Sequence, residues 1–243
     1  MQDTPKTFLE HFEELRKRLI IALASLGVAV LASFVFTDKI LVLLTQPIGG
    51  LSQVQSIEVT ENVGVFMRTS LLAGFILAFP VIFYQALIFI LPALSPSEKR
   101  SVYLAIPLAT LFFVGGVYFA FRVMLPAALP FLLNFLGVET IPRLSSYTTF
   151  VTGLLFWVGV MFETPLVVFL LARFGVVTPR LMLRYWRHAV VVMAILAAMI
   201  TPTVDPVNML LFMAPLMGLY FISILFAALA VRKPAASPRI STD

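Results

Sequence analysis

The sequence predicts an all-α integral membrane protein: six transmembrane helices, kinked by prolines into a curved, concave bundle, with N- and C-termini cytoplasmic. Three observations carry this. The 243 residues are 60% hydrophobic and 12% charged, against the roughly 25% charge of a soluble domain, and mean hydropathy is +1.02. Apolar runs recur near the roughly 20-residue length that crosses a bilayer. With the N-terminus inside, 13 of the 17 Lys and Arg fall on the inner side and 4 outside (Lys39, Arg68, Arg122 and Arg143), the skew of the positive-inside rule.

The chain opens on an amphipathic segment, residues 7–19. Thr7 and Glu10 form a capping-box pattern. Phe8, Phe12, Leu15 and Leu19 share one face and Glu10, Glu13, Glu14 and Lys17 another, as in a helix on the inner membrane surface. Glu13–Lys17 and Glu14–Arg18 are i,i+4 pairs. The acidic residues ahead of the first apolar run are unlike a cleavable signal peptide, so that run is expected to be retained. The spans are placed at about 19–36, 66–92, 101–123, 149–172, 188–201 and 207–231, within one domain over 1–231. Two further apolar stretches, Ile40–Ile48 and Leu125–Val138, are interrupted by Pro47, Pro126, Pro130 and Asn134 and are expected to be interfacial helices. Pro80, Pro107, Pro165 and Pro215 lie inside spans and predict kinks. The fifth span is short, which thins the bilayer or limits tilt. Residues 232–243 are rich in Pro and Ser and are expected to form a disordered cytoplasmic tail.

Several function classes drop out. Without cysteine there is no disulfide or thiolate metal site. His11 and His188 are far apart, and no HExxH, GxSxG or GxxxxGK[ST] motif occurs. No enzyme, metal or cofactor is expected. The net charge of +5 follows from the inside skew, so nucleic acid need not be invoked.

A few polar residues remain to carry function, each with a structural reading beside it. Glu14 is either one half of a surface ion pair or a carboxylate offered to a basic ligand. Ser95, Pro96 and Glu98 make a good helix start, with Glu98 at N3; Glu98 is otherwise a second such carboxylate. Glu163 lies within the fourth span, where a lipid-facing ionised carboxylate costs about 3 kcal/mol. It either locks two helices as a neutral hydrogen-bonded group or serves a polar partner. Gln85 and Arg68 are its candidate partners if the second and fourth spans touch. Pro202, Asp205 and Pro206 read as a rigid outer turn, with Asp205 capping the last helix and Pro206 at N1.

These segments resemble the TatC family in order and spacing over about residues 7–230. His11-Phe-Glu-Glu-Leu-Arg-Lys-Arg-Leu19 is similar to its H-L-x-E-L-R-x-R-L motif. Tyr84-Gln85, Pro92 and Glu98-Lys-Arg100 resemble its first cytoplasmic loop and the span before it. Gly116, Phe119 and Pro126 echo the third span. Phe162-Glu163 with Pro165 matches F-E-x-P, and Thr201-Pro-Thr with Asp205-Pro206 matches the connection before the last span. Leu87 stands where the family usually has Trp, Phe221 where it often has Glu, and Phe12 where Leu is common. The resemblance implies a receptor for Arg-Arg signal peptides in a bacterial or archaeal inner membrane. It would work with TatA- and TatB-like partners, as a homo-oligomer within a complex, and export folded proteins on the proton motive force. It implies Glu98 as the main arginine ligand, Glu14 as the second, and Arg16 as orienting Glu14 or meeting partners. It also implies that Glu163 binds a polar group of TatA or TatB. Carboxylates suit that task because guanidinium donors match acid oxygens. The other class left open is a proton-coupled secondary transporter using Glu163, which the absence of internal repeats weakens.

Overall fold

The computed structural model describes residues 8–90, 96–134, 140–200 and 206–230. These residues are almost wholly helical. Helix α1 (Phe8–Ser33) is followed by a 3-10 turn and the short α2 (Thr37–Thr45). Then come α3 (Glu61–Ile90), α4 (Pro96–Phe119), a π-turn (Ala120–Met124) and α5 (Leu125–Leu133). The chain continues through α6 (Leu144–Phe162), α7 (Thr164–Arg173), α8 (Pro179–Arg184), α9 (Trp186–Ile200) and α10 (Pro206–Ala230). Five helical runs are long and apolar enough to cross a membrane by length and composition: Glu10–Ile48, Glu61–Phe89, Tyr103–Leu133, Leu144–Arg173 and Met209–Ala230. The 15-residue α9 reaches only about 22 Å at 1.5 Å per residue.

Two sequence expectations change and a third is met. The amphipathic segment is not a separate interfacial helix: it runs without a break into the first span as α1. No proline or glycine interrupts residues 8–26, so nothing stops the helix where polarity changes. The described part of the stretch from Leu125, residues 125–134, is not separate from the bundle either. Leu125, Ala128 and Leu129 are buried in the main core. The π-turn Ala120–Met124 precedes Pro126, which cannot donate to the Arg122 carbonyl four residues back. The fourth span, Leu144–Arg173, carries the kink expected at Pro165: α6 ends at Phe162 and α7 starts at Thr164, with Pro165 in its first turn. Pro165 removes the bond to the Met161 carbonyl, and Glu163 sits at the break.

Small residues set the closest helix contacts, as expected where no hydrophobic effect drives helices together in lipid. A Cβ at Gly74 of α3 would lie 2.6 Å from the Val30 Cα of α1. At Gly116 of α4 it would lie 2.7 Å from the Phe162 Cβ and 3.0 Å from the Gly159 Cα of α6. Beside this crossing, Phe79 and Phe113 stack at 3.9 Å, with Phe75 edge-on to Phe113. Outward, α1 presents Leu23, Val28 and Leu31 at 58–68% exposure; a helix apolar all round and yet uncovered is one that faces lipid.

The end of the bundle remote from the start of α1 is fastened by polar contacts. Gln55 and Arg143 form an isolated parallel bridge, with Gln55 N donating to Pro142 O at 3.1 Å and Leu144 N to Gln55 O at 2.8 Å. The Tyr147 hydroxyl donates to the Leu44 carbonyl at 2.7 Å, and the Thr37 and Ser70 hydroxyls bond at 2.6 Å. Glu61, 5% exposed, is the hub. It accepts from the backbone N–H groups of Ile57 (2.9 Å), Glu58 (3.2 Å) and Ser145 (2.7 Å), and from Arg143 Nε (3.1 Å). Arg143 also reaches Glu58 at 2.8 Å. Hydrogen bonds to Glu58 and Glu61 raise the Arg143 pKa above its ordinary value.

Candidate functional site

Glu14 and Arg18 stand one turn apart near the start of α1, so their side chains meet on one helix face. Arg18 Nε donates to Glu14 Oε1 at 3.1 Å, and Nη2 donates to the same oxygen. Arg18 Nη1 reaches across to Gln85 Oε1 on α3 at 3.4 Å. The Glu14 and Arg18 side chains are 14% and 21% exposed, so this is a half-dried site rather than a solvated surface pair. His11 stacks on Phe89 with ring centres 4.3 Å apart, pinning the start of α1 to the end of α3. Beside the pair lies a groove of about 370 Å³ lined by Glu10, Glu13, Glu14, Lys17, Arg18 and Ile21. Three carboxylates and two cations on one wall give it the chemistry to hold a basic chain.

The other expected residues are placed as follows. Arg16 is exposed and lies about 200° around the helix from Glu14 at 100° per residue. It therefore does not orient Glu14; Arg18 does. Glu98 falls in the first turn of α4, which begins at Pro96 as the capping pattern required; its side chain lies outside what the structure describes. Pro202 and Asp205 also lie outside the described residues, and Pro206 opens α10.

Glu163 is 6% exposed, and among the described residues neither carboxylate oxygen has a hydrogen-bond partner. The expected partners are engaged elsewhere. Gln85 takes Arg18, and Arg68 donates to Thr149. Spans two and four do touch, through α3 and α6, but the contact does not bring those groups to the carboxyl. The close α4–α6 crossing at Gly116 and Gly159 packs Phe162 inward and holds the Glu163 break inside the bundle. Sequence reasoning missed two features. One is the Glu58–Arg143–Glu61 cluster, whose members lie up to 85 positions apart with no motif spacing. The other is the bridge from Arg18 to Gln85, separated by 67 positions.

The family model for the Sec-independent protein translocase protein (TatC) matches residues 10–215. A TatC protein of Carboxydothermus hydrogenoformans is 34% identical, over 93% of this chain and 95% of its own length. One of Listeria innocua is 35% identical over 96% of each. A chloroplastic TATC of Arabidopsis thaliana is 35% identical over 90% of this chain and 65% of its own length. A solved structure described as the twin arginine translocase receptor TatC superposes with TM-score 0.82 at 34% identity, covering 92% of this chain and all of that one. With all-helical architecture, apolar spans and motif order in agreement, the chain belongs to the TatC family of Sec-independent protein translocase components.

Proposed function

We propose that this chain is the receptor subunit of twin-arginine translocation, binding Arg-Arg signal peptides at Glu14 and Glu98. The observation that carries the reading is the Glu14 site itself. Its carboxylate is half-buried and already accepts two guanidinium donors on one oxygen. It therefore has the burial and geometry to hold an arginine guanidinium. In this reading the start of α1 and the start of α4 face the cytoplasm, where an unexported peptide meets them. Both termini are cytoplasmic in a bacterial or archaeal inner membrane. The chain forms a homo-oligomer within a complex containing TatA- and TatB-like proteins, and folded cargo crosses on the proton motive force. The similar solved protein's description as a receptor supports this.

The test compares labelled Arg-Arg and Lys-Lys peptides on the purified protein in nanodiscs. Tighter binding of Arg-Arg, reduced about tenfold or more in Glu98→Gln, is expected, since losing one hydrogen bond to a charged group costs about 1.5–3 kcal/mol. Equal binding of the two peptides by the parent protein sinks the reading.

Glu163 supplies the second element of the proposal. A buried carboxyl without a partner among the described residues stands out, because an unpaired one forfeits hydrogen bonds that water would have made. We assign it to a donor on a TatA- or TatB-like helix that completes the bundle. Glu163→Gln is then expected to reduce co-purification of that partner several-fold while leaving Arg-Arg peptide affinity unchanged. Unchanged partner recovery removes the assignment.

A further inference from the structure

The carboxylate assigned above to the signal peptide is already occupied by a guanidinium of its own chain. Arg18 places two donors on Glu14 Oε1 and its third nitrogen on Gln85. Because the two residues are one turn apart, Arg18 competes at a high effective concentration and never diffuses away. We propose that Arg18 is an internal competitor: it fills the Glu14 site in the resting receptor, and a signal peptide binds by exchanging its own guanidinium for that of Arg18. This rests on the receptor reading above and adds to it a residue that sets the affinity threshold.

The exchange balances chemically when the newcomer is arginine. One planar, permanently charged donor replaces another, and Glu14 is never left buried and unpaired. A lysine ammonium is a compact point charge without the Nε and Nη2 pair, and must still displace a guanidinium. Self-occupancy lowers apparent affinity by the fraction of receptors whose site is open, and it does so equally for every ligand. It therefore leaves the ratio of Arg-Arg to Lys-Lys affinity unchanged while pushing the weaker ligand below useful occupancy.

Gln85 suits this exchange. Its amide oxygen accepts Arg18 Nη1 at 3.4 Å, which gives the displaced side chain a neutral anchor on α3. A carboxylate there would bind Arg18 more tightly and hold it near the site. The groove along Glu10, Glu13 and Lys17 leaves room beside the pair for the incoming chain.

The experiment measures affinities of Arg-Arg and Lys-Lys peptides for the parent, Arg18→Gln and Arg18→Lys proteins, full length in phosphatidylglycerol–phosphatidylcholine nanodiscs. Arg18→Gln is expected to tighten both peptides by the same factor, of the order of fivefold, the scale of a partly exposed ion pair. Arg18→Lys keeps the charge but loses the two-donor grip, and is expected to tighten both by a smaller factor. Parent-like or weaker binding in both variants overturns the proposal. So does tightening in Arg18→Gln with parent-like binding in Arg18→Lys, which is a bare charge effect. Should Arg18→Gln fail to fold, Arg18→Lys alone decides by whether it binds more tightly than the parent. A parent that prefers Arg-Arg and loses that preference in Glu14→Gln, beside unchanged Arg18 variants, removes the competitor and keeps the receptor. A parent with no preference removes both.

Discussion

Glu14→Lys is expected to weaken Arg-Arg peptide binding by at least about 100-fold. The substitution removes the acceptor of two guanidinium donors and places a third cation beside Lys17 and Arg18. Truncating one partner of a desolvated, hydrogen-bonded charge pair costs about 2–5 kcal/mol, and reversal adds like-charge repulsion in a groove where the Glu14 side chain is only 14% exposed. Asp38→Lys, in the first turn of α2, makes the same change in net charge away from the site and is the control. Peptide titration in nanodiscs distinguishes the two. A loss of similar size in both variants would mean that binding follows overall charge, and the Glu14 site would have to be abandoned.

Glu61→Lys is expected to leave a protein that no longer survives extraction as a monodisperse species. Three backbone N–H groups and Arg143 Nε converge on this carboxylate. A lysine accepts none of those bonds and sets an ammonium against the Arg143 guanidinium. Buried donors left without acceptors and a buried like-charge pair are among the few causes of severe single-residue destabilisation. Residues 55–58 and 142–145 would then exchange their amide hydrogens far faster. Glu58→Lys is the graded comparison: Glu58 is 63% exposed at the side chain and makes one contact to Arg143, so its effect should be small. Size-exclusion profiles after heating and hydrogen exchange measure both. Parent-like thermal behaviour in Glu61→Lys would show that the fastening at this end contributes little.

The candidate site was partly legible in the sequence. Glu14 and Arg18 share a helix, so their spacing alone brings them together. Pro96 and Glu98 announce a helix start through local capping chemistry, and α4 begins there. Glu163 stands out because a carboxylate among apolar residues is costly wherever it points. Its surroundings were not legible. Gln85 and Arg68 were candidate partners if the second and fourth spans touch; the spans do touch, yet Gln85 is held by Arg18 and Arg68 by Thr149. The choice depends on the rotation of α3 about its own axis, which hydropathy does not encode when a helix is apolar all round. The resemblance implied that Arg16 orients Glu14 or meets partners, and helical geometry turns it away from Glu14.

By itself the sequence determined membrane character, the approximate positions of the apolar helices and the family. These follow from local quantities: run length against bilayer thickness, charge by segment and short motifs. Tertiary structure decided what depends on several helices at once. Burial of Leu125, Ala128 and Leu129 of α5 in the main core depends on helices distant in sequence that pack over them. The Arg18–Gln85 bridge and the Glu61 hub join residues 67 and 82–84 positions apart. Where helices are apolar on every face, composition drives them into the bilayer, and close packing such as that at Gly74, Gly116 and Gly159 sets how they meet.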